Sequence, residues 1–322
     1  MGVMRGLEIG PLANPRVRKD QGPVRYLDHA DATQLREKYA DNRPMRSALD
    51  RIIEVDYVIE PGKTISQTVA NDAPFDYVIA SHVIEHIPDL IGWMADISSI
   101  LEAGGILSLV IPDKRYSFDV NRSISGVGDL VDAYLRRLHR PTFRDIFNFH
   151  SQIATMEGVV DTAGLWAGTT DYKGVVRTDV DDPDVAAFQI CRDSADSGEF
   201  VDVHCHIFTP QSFLSIFGAL VRLDLTDFEI AAFVATQVNT LEFHVSLRKV
   251  ASGTDRAQVR KAQLASIPFL EEPSLSPIAE LPSPETAETH FMEVSELERS
   301  ILLLKRRVMH VGRRLLREVR RR

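Results

Sequence analysis

The chain has 322 residues, 44% of them hydrophobic, a mean hydropathy of −0.10 and a formal net charge of −9. That is enough apolar material for one large domain or two ordinary ones, and the acidic balance argues against a general nucleic-acid-binding surface. No segment approaches the ~20 apolar residues that span a bilayer, and the start lacks the apolar stretch of a signal peptide, so a cytoplasmic protein is expected. The two cysteines, Cys191 and Cys205, form no CxxC pair and read as reduced, partly buried thiols.

Residues 1–114 alternate between strand-like and helix-like patterns. Apolar or β-branched runs at 3–9, 24–27, 52–59, 75–80 and 106–111 read as strands, with helical patterns at 32–39 and 90–101. Strands separated by helical crossovers imply a parallel sheet covered on both faces. Residues 115–200 are rich in Arg, Asp, Phe and Tyr, with helical stretches near 127–139 and 143–155 and a loop-like 168–184. They read as a mainly helical cap inserted over the sheet, where substrate contacts usually lie. Residues 201–250 return to the αβ pattern. Thr209 and Pro210 start a helix as N-cap and first helical residue, and 228–234 and 241–247 read as an antiparallel pair at the sheet edge. Five prolines within 251–292 predict a disordered linker.

The tail, 293–322, predicts one helix. Leu297, Ile301, Leu304, Val308, Val311 and Leu315 make a short heptad seam. Residues 305–322 hold nine Lys/Arg against one Glu, a local charge of +8 that leaves −17 on the rest. A homodimeric coiled coil and a peripheral contact with an anionic inner membrane face both suit such a helix.

A nucleotide-type cofactor needs a tight turn after strand 1, an acid after strand 2 for ribose hydroxyls, and polar groups after strands 3 and 4. Leu7-Glu8-Ile9-Gly10-Pro11 supplies the turn, with Glu8 placed to accept loop N–H groups. Asp28 lies 18 residues after Gly10, near the ~20 expected of a ribose carboxylate. Asp56 follows as a candidate for the adenine amino group, and Ser81-His82 closes strand 4. One glycine in the turn is too few for a pyrophosphate, whereas S-adenosylmethionine carries no phosphate and needs only a single tight turn.

Three segments then match a known family. They are Leu7-Glu8-Ile9-Gly10, the run from Phe75 to Asp89 (FDYVIASHVIEHIPD) and the run from Leu101 to Asp113 (LEAGGILSLVIPD). In order and spacing they resemble class I S-adenosylmethionine-dependent methyltransferases of the type 11 group. The resemblance implies a Rossmann-like methyltransferase fold over residues 1–114 and 201–250. It implies that Glu8, Gly10 and Pro11 hold the methionine end, Asp28 the ribose, Asp56 and Tyr57 the adenine, and that Ser81 and His82 line the site. The family's second turn glycine is Leu12 here, and its helix before strand 1 has no counterpart, which is expected of a sequence that begins late.

His82-Val83-Ile84-Glu85-His86 also matches H-x-x-E-H, a zinc peptidase signature. Pro88 follows too soon for a long ligand-bearing helix, so zinc hydrolysis is a distant reading and no metal is expected. Asp202-Val203-His204-Cys205-His206 is a second metal-like cluster, read more readily as a segment leading into the Thr209 helix. The expected function is methylation of a sugar or other small hydroxyl acceptor, within cell-surface glycan synthesis, with His82, His86, His204 and His206 as candidate bases. The alternative is a non-catalytic binding protein that keeps the fold.

Overall fold

The computed structural model describes residues 4–41, 45–154, 160–170, 180–251 and 255–270. A seven-stranded sheet runs β3-β2-β1-β4-β5-β7-β6. Its strands are β1 (Gly6–Ile9), β2 (Val24–Asp28), β3 (Tyr57–Val58), β4 (Phe75–Ser81), β5 (Leu101–Pro112), β6 (Phe228–Val234) and β7 (Glu242–Lys249). The first five pair in parallel, and β7 is antiparallel to both β5 and β6. This is the mostly parallel sheet with an antiparallel edge that the strand pattern predicts.

The helices follow local capping chemistry. Helix α1 (Ala32–Lys38) begins at Asp31, whose carboxylate accepts the Gln34 N–H while the Gln34 side chain returns to the Asp31 N–H. After α2 (Ile65–Thr68), α3 (Leu90–Ile100) starts at Asp89, which accepts the Gly92 N–H. Between β5 and the next sheet element stand α4 (Val127–Arg136), α5 (Phe143–Gln152), α6 (Thr162–Ala167) and α7 (Pro183–Ser197). Helix α8 (Pro210–Arg222) starts at the Thr209 cap, and α9 (Arg256–Ala265) follows β7.

One core runs through the sheet, joining Leu7, Leu27, Val78, Leu107, Leu109, Phe243 and Leu247 to α3 and α8. A smaller cluster under α1 gathers Ala13, Leu35, Ala48 and Ile52. A third, between α5 and α7, gathers Ile146, Cys191 and Val203. The helical insertion thus has apolar contacts of its own.

Four boundaries differ from the sequence pattern. The third strand is two residues long rather than the expected 52–59, because Ile52 turns away to fill the cluster under α1. Helix α6 was not expected. Helix α7 starts at Pro183, inside the stretch expected as loop, through an Asp182 cap. The expected linker from 251 is corrected over 256–265, which is α9. Its Gln263 is buried and donates to the Thr226 and Phe228 carbonyls, and the Ser266 hydroxyl accepts the Ile230 N–H. The rest of that linker and the 293–322 helix lie outside the described residues. Among the described helices, none is long and apolar enough to cross a membrane.

Candidate functional site

Chain order reverses about β1, which sits between β2 and β4. In such sheets ligands lie at this switch point, beyond the carboxyl ends of the strands. Those ends bring Gly10, Asp28, Ser81, His82 and Asp113 to one edge. Because β7 is antiparallel and Glu242 pairs with Pro112, β7 begins at the same edge and adds Glu242.

Glu8 is buried in β1, and its two oxygens accept the Arg16 and Val17 N–H groups at 2.6 and 3.0 Å. This closes the loop after β1. Gly10 has φ +66, a left-handed conformation that L side chains rarely adopt, and a Cβ there would lie 3.2 Å from Val83 of the loop after β4. Leu12 also has positive φ, 44°. That conformation costs a leucine about 1–2 kcal/mol. It is held by packing on the cluster under α1 and by the Ile53 N–H donated to its carbonyl. Arg16, in the same loop, donates to the Ser81 hydroxyl at 2.9 Å and lies 3.8 Å from Glu242.

Asp28 ends β2 and is 5% exposed. Its Oδ1 accepts the His29 N–H at 2.7 Å and lies 2.6 Å from His29 Nδ1. Its Oδ2 is buried with no hydrogen-bond partner. An orphaned carboxylate oxygen is costly unless a donor arrives, and a ribose hydroxyl is such a donor. With the Gly10 cradle beside it, the edge fits a nucleoside cofactor.

Asp56 and Tyr57 sit otherwise. Leu27 pairs with Tyr57 and Asp28 with Val58, so Asp56 lies level with Tyr26, below the edge. Its carboxylate takes Lys19 at 2.9 Å, the Tyr26 N–H at 2.8 Å and Arg25 at 3.3 Å. The Tyr57 hydroxyl donates to Asp72. Burial works against the Asp56 charge, but Lys19, the Tyr26 amide and Arg25 outweigh it and lower its pKa. The stabilisation is therefore present above the ordinary carboxylate pKa of about 4 and is lost as pH falls through the lower folded value. Asp56→Asn is expected to lower the melting temperature at pH 7, with the gap to the parent shrinking below pH ~4 in a scanning-calorimetry series.

The four candidate histidines sit in four environments. His82, at the end of β4 with φ 54, has Nε2 3.4 Å from Glu242 and Nδ1 3.6 Å from Glu85. Burial opposes its charge, but the two carboxylates prevail and raise its pKa. His86 ends a short 3-10 turn over Ile84–His86, and its Nδ1 lies 2.8 Å from Asp202. Burial opposes its charge too, and Asp202 raises its pKa nonetheless. His204 Nδ1 lies 2.6 Å from the buried Asp119, which also holds the Arg122 guanidinium at 2.8 Å. His206 is buried against the Pro88 carbonyl, and that burial lowers its pKa. So His82 and His86 do not share a helix face as a zinc peptidase requires. Asp202, His204 and His206 do not converge either, since Asp202 serves His86 and His206 turns toward Phe208. Both cysteines are free thiols.

Residues 18–165 match the family of methyltransferase domains, starting just beyond the Glu8–Gly10 turn. By that match residues 18–165 form a methyltransferase domain. No curated protein matches it. Among solved structures it is similar to the CurJ carbon methyltransferase, at 14% identity and TM-score 0.35 over 77% of this chain and 49% of that one. It therefore spans about half the length of that neighbour. It is also similar to a Methanosarcina mazei S-adenosylmethionine-dependent methyltransferase, at 15% identity and TM-score 0.34 over 78% of this chain and 95% of that one. A Rhodobacter sphaeroides protein described as a zinc-dependent alcohol dehydrogenase matches at 12% identity and TM-score 0.40, over 78% of this chain and 86% of that one. Likeness at these scores says nothing of the acceptor.

Four residues at or near this edge escape a reading of the sequence. Arg16 has no motif. Glu242 carries a weak signal, being the charged residue that opens an interior strand of alternating buried and half-buried positions. Asp119 and Arg122 form a buried i,i+3 ion pair in a segment that reads as polar cap.

Proposed function

We propose that this methyltransferase methylates a hydroxyl oxygen of a small, polyhydroxylated acceptor, a sugar before others. The observation that carries this reading is the His82–Glu242 pair at the switch point. A hydroxyl is a poor nucleophile until its proton is taken. His82 stands at the end of β4, is 37% exposed along its side chain, and has a carboxylate behind it to stabilise the imidazolium that forms. Asp28 Oδ2 is the group for the ribose, and Glu8 keeps the β1 loop closed around the methionine end. Residues level with the edge beyond β3, Ile59 and Glu60, are better placed for the adenine than Asp56. When bound, S-adenosylmethionine supplies a methyl group already activated on a sulfonium, so orientation does most of the work. Arg16 and Arg115 add donors at the same mouth, suited to an acceptor with several hydroxyls. The basic residues 305–322 support an acceptor built beside an anionic inner membrane, as in cell-surface glycan assembly, or else a homodimer.

The test uses labelled methyl transfer to a panel of nucleotide sugars and free sugars, with amine- and thiol-bearing acceptors beside them. His82→Gln is expected to lower kcat by about 10²- to 10⁴-fold, with cofactor affinity by calorimetry within about twofold. Label appearing only on amine or thiol acceptors, or an unchanged rate in the variant, would sink the hydroxyl reading.

A further inference from the structure

We infer that Glu85, His86 and His204 form a binding site for a divalent transition-metal cation of the zinc class. One donor atom from each lies within 4.8 Å of the others. Two imidazoles and a carboxylate are a set that zinc, cobalt or manganese accepts, and one that magnesium or calcium does not favour.

Glu85 points most directly to a ligand. It is 0% exposed, and neither carboxylate oxygen has a hydrogen-bond partner. The imidazole nitrogen beside it, His82 Nδ1, is 3.6 Å away, beyond hydrogen-bond range. A bare carboxylate in the interior is among the costliest arrangements a fold can hold, and a cation resolves it.

The second observation is the way the rings are held. His86 is bonded through Nδ1 to Asp202, and His204 through Nδ1 to Asp119. Among the described residues no partner takes Nε2 of either ring. A carboxylate behind each imidazole, leaving the far nitrogen for the metal, is how metal-binding histidines are oriented. The rings meet edge to face with centroids 4.6 Å apart. Both supports are themselves anchored, Asp119 by Arg122 and Asp202 by Lys38 at 2.7 Å. The Glu85 carbonyl accepts the Cys205 and His206 N–H groups, at 2.6 and 3.1 Å, and so clamps the two ligand-bearing segments together.

Three protein ligands leave a position open, and His86, at 33% side-chain exposure, gives access to it. Resting on the hydroxyl-methylation reading, the cation's role is to bind the acceptor oxygen beside His82 and make its proton easier to remove.

Metal is stripped from the full chain with a chelator, and cobalt(II) is added back in metal-free buffer. The expected result is about one cobalt per chain by elemental analysis, with the visible absorption of a low-symmetry site. His86→Gln and His204→Gln are expected to weaken cobalt binding at least 10- to 100-fold, with zinc displacing cobalt from the parent and magnesium failing to. His86→Gln, on a partly exposed ring, guards against a variant that fails to fold. Asp28→Ala should keep the cobalt spectrum while losing cofactor affinity, which separates failure of the metal site from failure of the methylation reading. Absence of stoichiometric cobalt, equal binding in both histidine variants, or displacement by magnesium would each overturn the proposal.

Discussion

Asp28→Ala is expected to weaken S-adenosylmethionine binding by about 10- to 150-fold in titration calorimetry. The figure follows from the worth of a hydrogen bond to a charged group, about 1.5–3 kcal/mol, at 1.4 kcal/mol per factor of ten. The expected size of the effect rests on the asymmetry of its oxygens. Oδ1 is already committed to His29, and Oδ2 is buried and bare. Only the second depends on a ligand. The free variant should therefore melt within a few degrees of the parent, while the rise in melting temperature on adding cofactor disappears. An affinity within twofold of the parent would remove the ribose assignment.

Asp119→Ala carries the largest expected stability loss. Asp119, Arg122 and His204 are 2%, 4% and 6% exposed. Asp119 bridges the other two, and Arg122 also donates to the His204 carbonyl at 2.9 Å. Burial opposes the Asp119 charge, and His204 and Arg122 lower its pKa against that burial. Removing the carboxylate leaves a guanidinium buried without its counter-charge, a situation worth about 3–5 kcal/mol. Urea unfolding should register it as a lower midpoint at unchanged slope. Asp119→Ala combined with Arg122→Leu should recover much of the loss, because the double variant no longer buries a lone charge. A single variant as stable as the parent, or a double variant worse than the single, would show that the triad does not act as a unit.

Much of this fold is legible because its signals are local. Strand, turn and cap residues act within a few positions of one another, so Glu8 could be read as the acceptor of loop N–H groups, and Thr209-Pro210 as a helix start. Asp182-Pro183 carries the same signal, but the polar loop-like stretch before it masked the start of α7. Gln263 shows a different failure. A proline-rich segment looks unfit for packing on average, yet one buried amide ties the helix before the prolines to β6. The site residues divide along the same line. Asp28 follows from its spacing, whereas the level of Asp56 on the sheet depends on register, which composition does not encode. The meeting of Glu85 and His86 with His204 spans more than a hundred residues, and no local pattern reports it. Each segment looked metal-like alone, and only the topology joins them.

The late arrival of β7 has a consequence for synthesis. This strand lies between β5 and β6 and is the partner of each, so neither is paired on that side until residues 242–249 have left the ribosome. Until then the growing sheet ends at β5, whose Leu107, Leu109 and Ile111 are wholly apolar and whose edge hydrogen bonds are open. Such an edge invites pairing between nascent chains. Glu242 arrives on the same strand, so the step that closes the vulnerable edge also completes the proposed His82–Glu242 pair. A chain stopped short of residue 242 would be without both.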